Sequence, residues 1–280
     1  VPYLIAYNKC DLGITVPDDP HSMPVSAAAG TNIFALKERI GHLVEEKVPR
    51  RLVGDLLRPN DFAVLVTPID ESAPKGRMIL PQQQAIRDVL DAGAICVVTK
   101  ETELAQTLEG LKKPPAAVIT DSQAFAVVSK IVPDELPLTS FSILMARYKG
   151  FLKTAVEGMA SLDRLQDGDS VLIAEGCTHH RQCNDIGTVK IPRWLNSLNG
   201  KKLDIHSCSG NEFPEDLSPF ALVIHCGGCM LNEREMLSRM DRAVRQDIPF
   251  TNYGTFIAGV TGTLERSLRL FPEIHALLEA

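Results

Sequence analysis

The chain has 280 residues, of which 45% are hydrophobic and 23% charged, with a formal net charge of −6. This is the composition of a globular protein of about two domains. The acidic balance gives no basic footprint for nucleic acid, and no Lys/Arg run forms a membrane patch. No apolar stretch approaches the roughly 18 to 20 residues of a membrane span, and the first residues have neither the basic region nor the cleavage site of a signal peptide. Seven cysteines are an odd count in an acidic chain of this size. A disulfide framework is therefore a poor reading, metal or redox chemistry a better one, and the cytoplasm the expected compartment.

Residues 1–46 read as strand, loop and helix. Val1 to Tyr7 has the apolar character of a short buried strand, and Ile33, Leu36, Ile40 and Leu43 recur at helical spacing. Asn8-Lys9-Cys10-Asp11 follows the strand, and Ser26-Ala27 lies ahead of the helix. Together they form a guanine-recognition signature. In such sites the Asp accepts from guanine N–H groups, the Asn supports base and loop, and the Ser-Ala backbone meets the ring carbonyl. The competing reading is a polar turn at a strand end. Binding the phosphates of a nucleotide needs G-x-x-x-x-G-K-[ST], and no such motif occurs in the sequence. With no initiator Met at position 1, the segment is expected to be the end of a GTPase domain whose larger part lies upstream, so that GTP and Mg²⁺ would bind only in the full-length protein.

Residues 50–138 alternate apolar runs with helical patterns. The runs are Phe62–Val66, Ala94–Val98 and Ala116–Ile119; between them lie Ile86, Val89 and Leu90, then Leu104, Leu108 and Leu111. This is the pattern of βαβ units on a parallel sheet. A sheet of three strands leaves exposed edges, which suggests completion against a second copy, a homodimer.

Residues 139–280 open with helical patterning and continue as a second α/β run, with strands at 170–174, 202–205, 220–224 and 248–251. Met236, Met240, Ala243 and Val244 mark one helix face, with Asn232 as its N-cap. The expected fold class is α/β: two small parallel-sheet domains preceded by the remnant of a P-loop GTPase domain.

Gly176-Cys177-Thr178-His179-His180 follows the first strand of this last segment, and His225-Cys226-Gly227-Gly228-Cys229 follows its third. In a parallel sheet both fall at the carboxyl edge, where α/β folds place ligand crevices. A C-x-x-C turn brings two thiolates to one metal or cluster, and its glycines leave N–H groups free for the sulfurs. The residues leave four readings open: a zinc site of three Cys and one His, an iron–sulfur cluster, a thioredoxin-like pair, and unligated thiols. Cys96 reads as a core residue. Cys10, Cys183 and Cys208 lack chelate spacing, and His180 and His206 read as solvated or supporting groups.

The order of these parts resembles the HydF family of [FeFe]-hydrogenase maturation GTPases. The resemblance is carried by Cys177-Thr178-His179-His180, by Asp185 to Leu195, and by His225 to Met230, and it runs from Asn8 to the last helix. The spacing between the two cysteine motifs falls at the short end of the family's range, and the P-loop and switch regions are missing. The resemblance implies a scaffold or carrier that holds a [4Fe–4S] cluster through Cys177, Cys226 and Cys229. His179 and His225 would be a fourth ligand or hydrogen-bonding support. It further implies a two-iron precursor as cargo, delivery to apo-hydrogenase, radical-SAM maturases as partners, and dimerisation through residues 50–138. A thiol oxidoreductase using Cys226 and Cys229 and a zinc-stabilised interaction module are the alternatives, and no catalytic activity is expected of this chain itself.

Overall fold

The computed structural model describes residues 2–43, 50–69, 76, 78–176, 185–198 and 200–278. The chain divides into two compact units, 1–50 and 51–280.

In the first unit β1 (Ile5–Tyr7) pairs in parallel with β2 (Ser22–Pro24), and α1 spans Ile33–Leu43. The expected buried strand is not found: Ile5 is 42% exposed, and α1 carries no buried residue. With only one partner strand, β1 has little to cover its side chains. Burial in this unit falls instead on Met23, Val25 and Ser26.

The second unit holds two parallel sheets built to one plan. In the first, β3 (Phe62–Val66) leads through α2 (Leu80–Asp91) to β4 (Ile95–Thr99), then α3 (Leu104–Gly110) to β5 (Ala117–Thr120), then α4 (Phe125–Ile131) to β6 (Leu138–Ser140). Its strand order is β4-β3-β5-β6, and every pair is parallel. The sheet therefore has four strands where the sequence suggested three. Residues 138 to 140, divided between two segments in the sequence reading, form one strand. α5 (Phe141–Tyr148) and α6 (Leu152–Met159) follow.

The second sheet contains β7 (Ser170–Glu175), β8 (Asp204–Ser209), β9 (Leu222–His225) and β10 (Phe250–Asn252) in the order β10-β9-β7-β8, again all parallel. α7 (Ile191–Leu198) precedes β8, α8 (Glu233–Arg245) joins β9 to β10, and α9 (Tyr253–Val260) and α10 (Leu264–Leu268) follow. In both sheets the first strand lies inside, the second at one edge, and the third on the opposite side of the first.

Alternate residues of each inner strand face opposite layers, as the two-residue period requires. Val64, Val66 and Val118 meet Leu104, Phe125 and Val128 on one face of the first sheet. Val171, Ile173 and Ile224 meet Ile191, Leu195 and Phe256 on one face of the second. The remaining faces share a single apolar cluster that runs from Leu65 and Ile119 through Phe141, Phe151 and Ala155 to Val223 and Met236. Each fully buried Val, Leu or Phe of this kind contributes on the order of 1.5–3 kcal/mol, so the two sheets are tied by one core.

Candidate metal centre

β7 and β9 are neighbours, with Ala174 opposite His225. Their carboxyl ends lie where the chain departs to opposite sides of the sheet, the usual place for a ligand crevice. The Cys226 N–H donates to the Ala174 carbonyl at 2.7 Å. The half-buried Cys226 Sγ in turn accepts from the Gly176 N–H at 3.1 Å and the Gly228 N–H at 3.3 Å. Amides aimed at sulfur favour its thiolate, as cluster and metal ligands need.

Two glycines make this approach possible. A Cβ on Gly176 would stand 2.7 Å from the Leu231 side chain. Gly228 has φ +58°, and a Cβ there would meet the Met236 sulfur at 2.9 Å. Cys229, three residues beyond Cys226, is exposed.

Cys177, His179, His180 and Cys183 lie outside the described residues. The structure thus follows the first motif as far as Gly176, whose amide reaches the sulfur of the second. Among the described residues no group of three or more His, Cys, Asp or Glu is placed to hold a metal ion.

His225 is fully buried. Its Nδ1–H donates to the Cys226 carbonyl at 2.7 Å, which leaves Nε2 as the acceptor for Arg239 at 3.3 Å. Burial, with the Arg239 and Lys149 charges nearby, pushes its pKa down to about 4, so the ring is neutral. Both ring nitrogens are thus engaged, and the ring fixes the carbonyl of Cys226.

Two cations and a carboxylate that the sequence reading passed over complete the surroundings. Arg239 is 2% exposed, donates to Glu235 at 2.7 Å and Gly210 O at 2.6 Å, and lies 5.2 Å from the Phe213 ring. Its signal was present: it falls between Met236 and Met240 on the apolar stripe of α8. Val244, expected on that stripe, is 48% exposed instead. Lys149, just after α5, is 4% exposed, and its Nζ donates to the carbonyls of Gly228 and Leu231. Burial lowers its pKa, while negative charge on the Cys229 and Cys226 sulfurs acts in the opposite direction. Glu175, buried at the end of β7, accepts from the Tyr253 hydroxyl at 3.3 Å. Burial, Glu175 and Cys226 together raise that phenol's pKa.

The other cysteines differ. Burial pushes the Cys96 thiol up to about 11, and Cys96 is half-buried on an edge strand rather than deep in the core. Burial also raises the pKa of Cys208 on β8. His206 is exposed and pairs with Asp204 at 2.9 Å.

In the first unit the Asn8 carboxamide oxygen accepts from the N–H groups of Lys9 and Ala27 at 2.9 and 3.0 Å, and Ser26 Oγ accepts from Ala29 N–H at 3.0 Å. Asn8 thus joins the two halves of the guanine-type motif. Lys9 has φ +66°, and Asp11 is exposed on the short turn that follows.

Among the described residues no helix is long and apolar enough to cross a membrane. One similar solved structure is the crystal structure of an NtrC family transcriptional regulator from Clostridium acetobutylicum. The match covers 76% of this chain and 98% of that one at 14% identity, with a TM-score of 0.24. No curated protein matches. Two family models match in tandem: the hydrogen maturase F dimerization domain over residues 52–150 and the hydrogen maturase F tetramerization domain over residues 153–270. Both describe self-association, and together they span most of the chain. The chain belongs to the hydrogen maturase F (HydF) family and has a role in hydrogenase maturation.

Proposed function

We propose that within hydrogenase maturation this chain is a scaffold that holds a [4Fe–4S] cluster through Cys177, Cys226 and Cys229 and carries a two-iron precursor as cargo for apo-hydrogenase. The observation that carries the reading is the Cys226 sulfur at a strand-end crevice, bonded by the amides of Gly176 and Gly228. The donor set suits the group: cysteine sulfurs, backbone amides on one of them, and the buried Lys149 beside the loop. When bound, the cluster would supply an iron with no cysteine ligand, at which cargo or a small ligand attaches. Cys226 and Cys229 would hold two irons and Cys177 a third. His225, through the Cys226 carbonyl, would orient the loop, and His179 remains the histidine proposed as a weak fourth ligand. The radical-SAM maturases are its proposed partners, the cytoplasm its compartment, and guanine nucleotide a ligand of the full-length protein through Asn8, Lys9, Asp11, Ser26 and Ala27.

The test is anaerobic reconstitution with iron and sulfide, followed by metal analysis and electron paramagnetic resonance. The expected result is a reduced cluster signal that changes on adding imidazole or cyanide while iron content holds. Stoichiometric zinc without iron would assign a closed structural site instead. A reversible Cys226–Cys229 disulfide without any metal would assign a thiol oxidoreductase.

A further inference from the structure

Lys149 is held in an unusual way. Its ammonium is buried, and among the described residues no carboxylate pairs with it; its partners are the carbonyls of Gly228 and Leu231. These carbonyls flank Cys229, and the Gly228 carbonyl also accepts the Leu231 N–H at 3.0 Å, closing the turn. A buried ammonium with neutral partners is costly unless a negative group lies near it. Among the described residues the groups whose negative charge acts on it are Cys229 and Cys226.

We infer that Lys149 is a positioning residue for the Cys226–Cys229 turn: it clamps the turn through two carbonyls and supplies the buried countercharge to the sulfurs and to what they hold. The inference rests on the cluster reading for its second half only. A positive charge fixed beside a cluster favours the added electron, so removing it makes reduction harder.

Two variants of the full chain separate the halves. Lys149→Met loses both donor and charge, whereas Lys149→Gln keeps an N–H donor and loses the charge. Hydrogen exchange on the metal-free protein reads the clamp at the amides of Gly228 and Leu231. Met is expected to speed exchange there by about tenfold, and Gln to leave it near wild type. After reconstitution, both variants are expected to shift the reduction midpoint negative by about a tenfold change in the equilibrium, about 59 mV for one electron. Iron content should fall in the Met variant and hold in the Gln variant. Unchanged exchange in Lys149→Met would overturn the clamp. An unchanged midpoint in both variants would overturn the countercharge. If the wild-type chain takes up no iron, the cluster reading and the countercharge fall together, while the exchange result still decides the clamp.

Discussion

The two sheets of residues 51–280 share strand order, but a helix joins the second strand to the third in the first sheet and none does in the second, and among the described residues it is the second that carries cysteine sulfur at its crevice. At the matched position in the first sheet, at the ends of β3 and β5, stand Thr67, Thr120 and Asp121, with Gln82 donating to Asp121 at 3.0 Å. In the second sheet that place is taken by Gly176 and Cys226. The edges differ too. β4 exposes Ile95 at 41% and Val98 at 44%, while β8 exposes Asp204 and His206, which pair with each other. One strand order is therefore used twice, with a cysteine turn at the strand ends of one copy and an apolar edge on the other. The scaffold fixes where a site forms; the residues at the strand ends decide what it does.

The largest effect should come from changing the sulfur itself. Cys226→Ser is expected to abolish nearly all iron and sulfide uptake, whereas Cys96→Ser in the first sheet and Cys208→Ser on β8 should retain wild-type content by chemical assay. Equal losses from Cys208→Ser would mean that the sheet's far edge also contributes to the site.

Next comes assembly. An apolar exposed edge strand is a template for pairing with another chain, and charges are the usual means of blocking it. The double variant Ile95→Lys, Val98→Lys should lower the mass seen by light scattering by one level of association, while Ser207→Lys on β8 should not. A change only for β8 would reverse the assignment of edges.

A third contrast lies in the helices after the third strands. Arg239→Met in α8 strips partners from Gly210 O and from His225 Nε2, and should cost about 3 kcal/mol in denaturant unfolding. Lys130 on the corresponding α4 is exposed, with no hydrogen bond or ion pair among the described residues, and Lys130→Met should stay within about 0.5 kcal/mol. A loss under about 1 kcal/mol for Arg239→Met would mean that the buried network adds little to the fold.

Much of this was legible in the sequence because inner parallel strands are covered on both faces and read as continuous apolar runs. Phe62–Val66, Ala117–Ile119, Val171–Ala174 and Leu222–Ile224 all have that form. Edge strands need no such pattern. β6, only Leu-Thr-Ser before a helix, merges with the helix start. β8 was placed at residues 202–205 but runs to Ser209, since Asp204, His206 and Ser207 leave no apolar signature. The cysteine motif was readable from spacing, but its supports were not. A lysine at the end of a helix ordinarily reads as a complement to the helix dipole, and nothing in the sequence near position 149 shows that Gly228 and Leu231 lie beside it.

The smallest contrast concerns the turns from the fourth strands into the helices that follow. Ser140 ends β6 and caps α5, its hydroxyl accepting the Ile143 N–H at 3.3 Å. Asn252 ends β10 and caps α9, its carboxamide oxygen accepting the Thr255 N–H at 2.9 Å. Both are buried. Removing either cap should cost about 1 kcal/mol, but the two differ in what else is lost. Among the described residues the Asn252 Nδ2 has no hydrogen-bond partner, and a buried donor left unsatisfied carries its own cost. Asn252→Ser keeps an acceptor for the helix and deletes that donor, so it should be less destabilising than Asn252→Ala by several tenths of a kcal/mol in equilibrium denaturation. If Asn252→Ser costs about 1 kcal/mol or more against wild type although the cap acceptor is kept, the amide has a partner in solution, such as a bound water, that the variant loses.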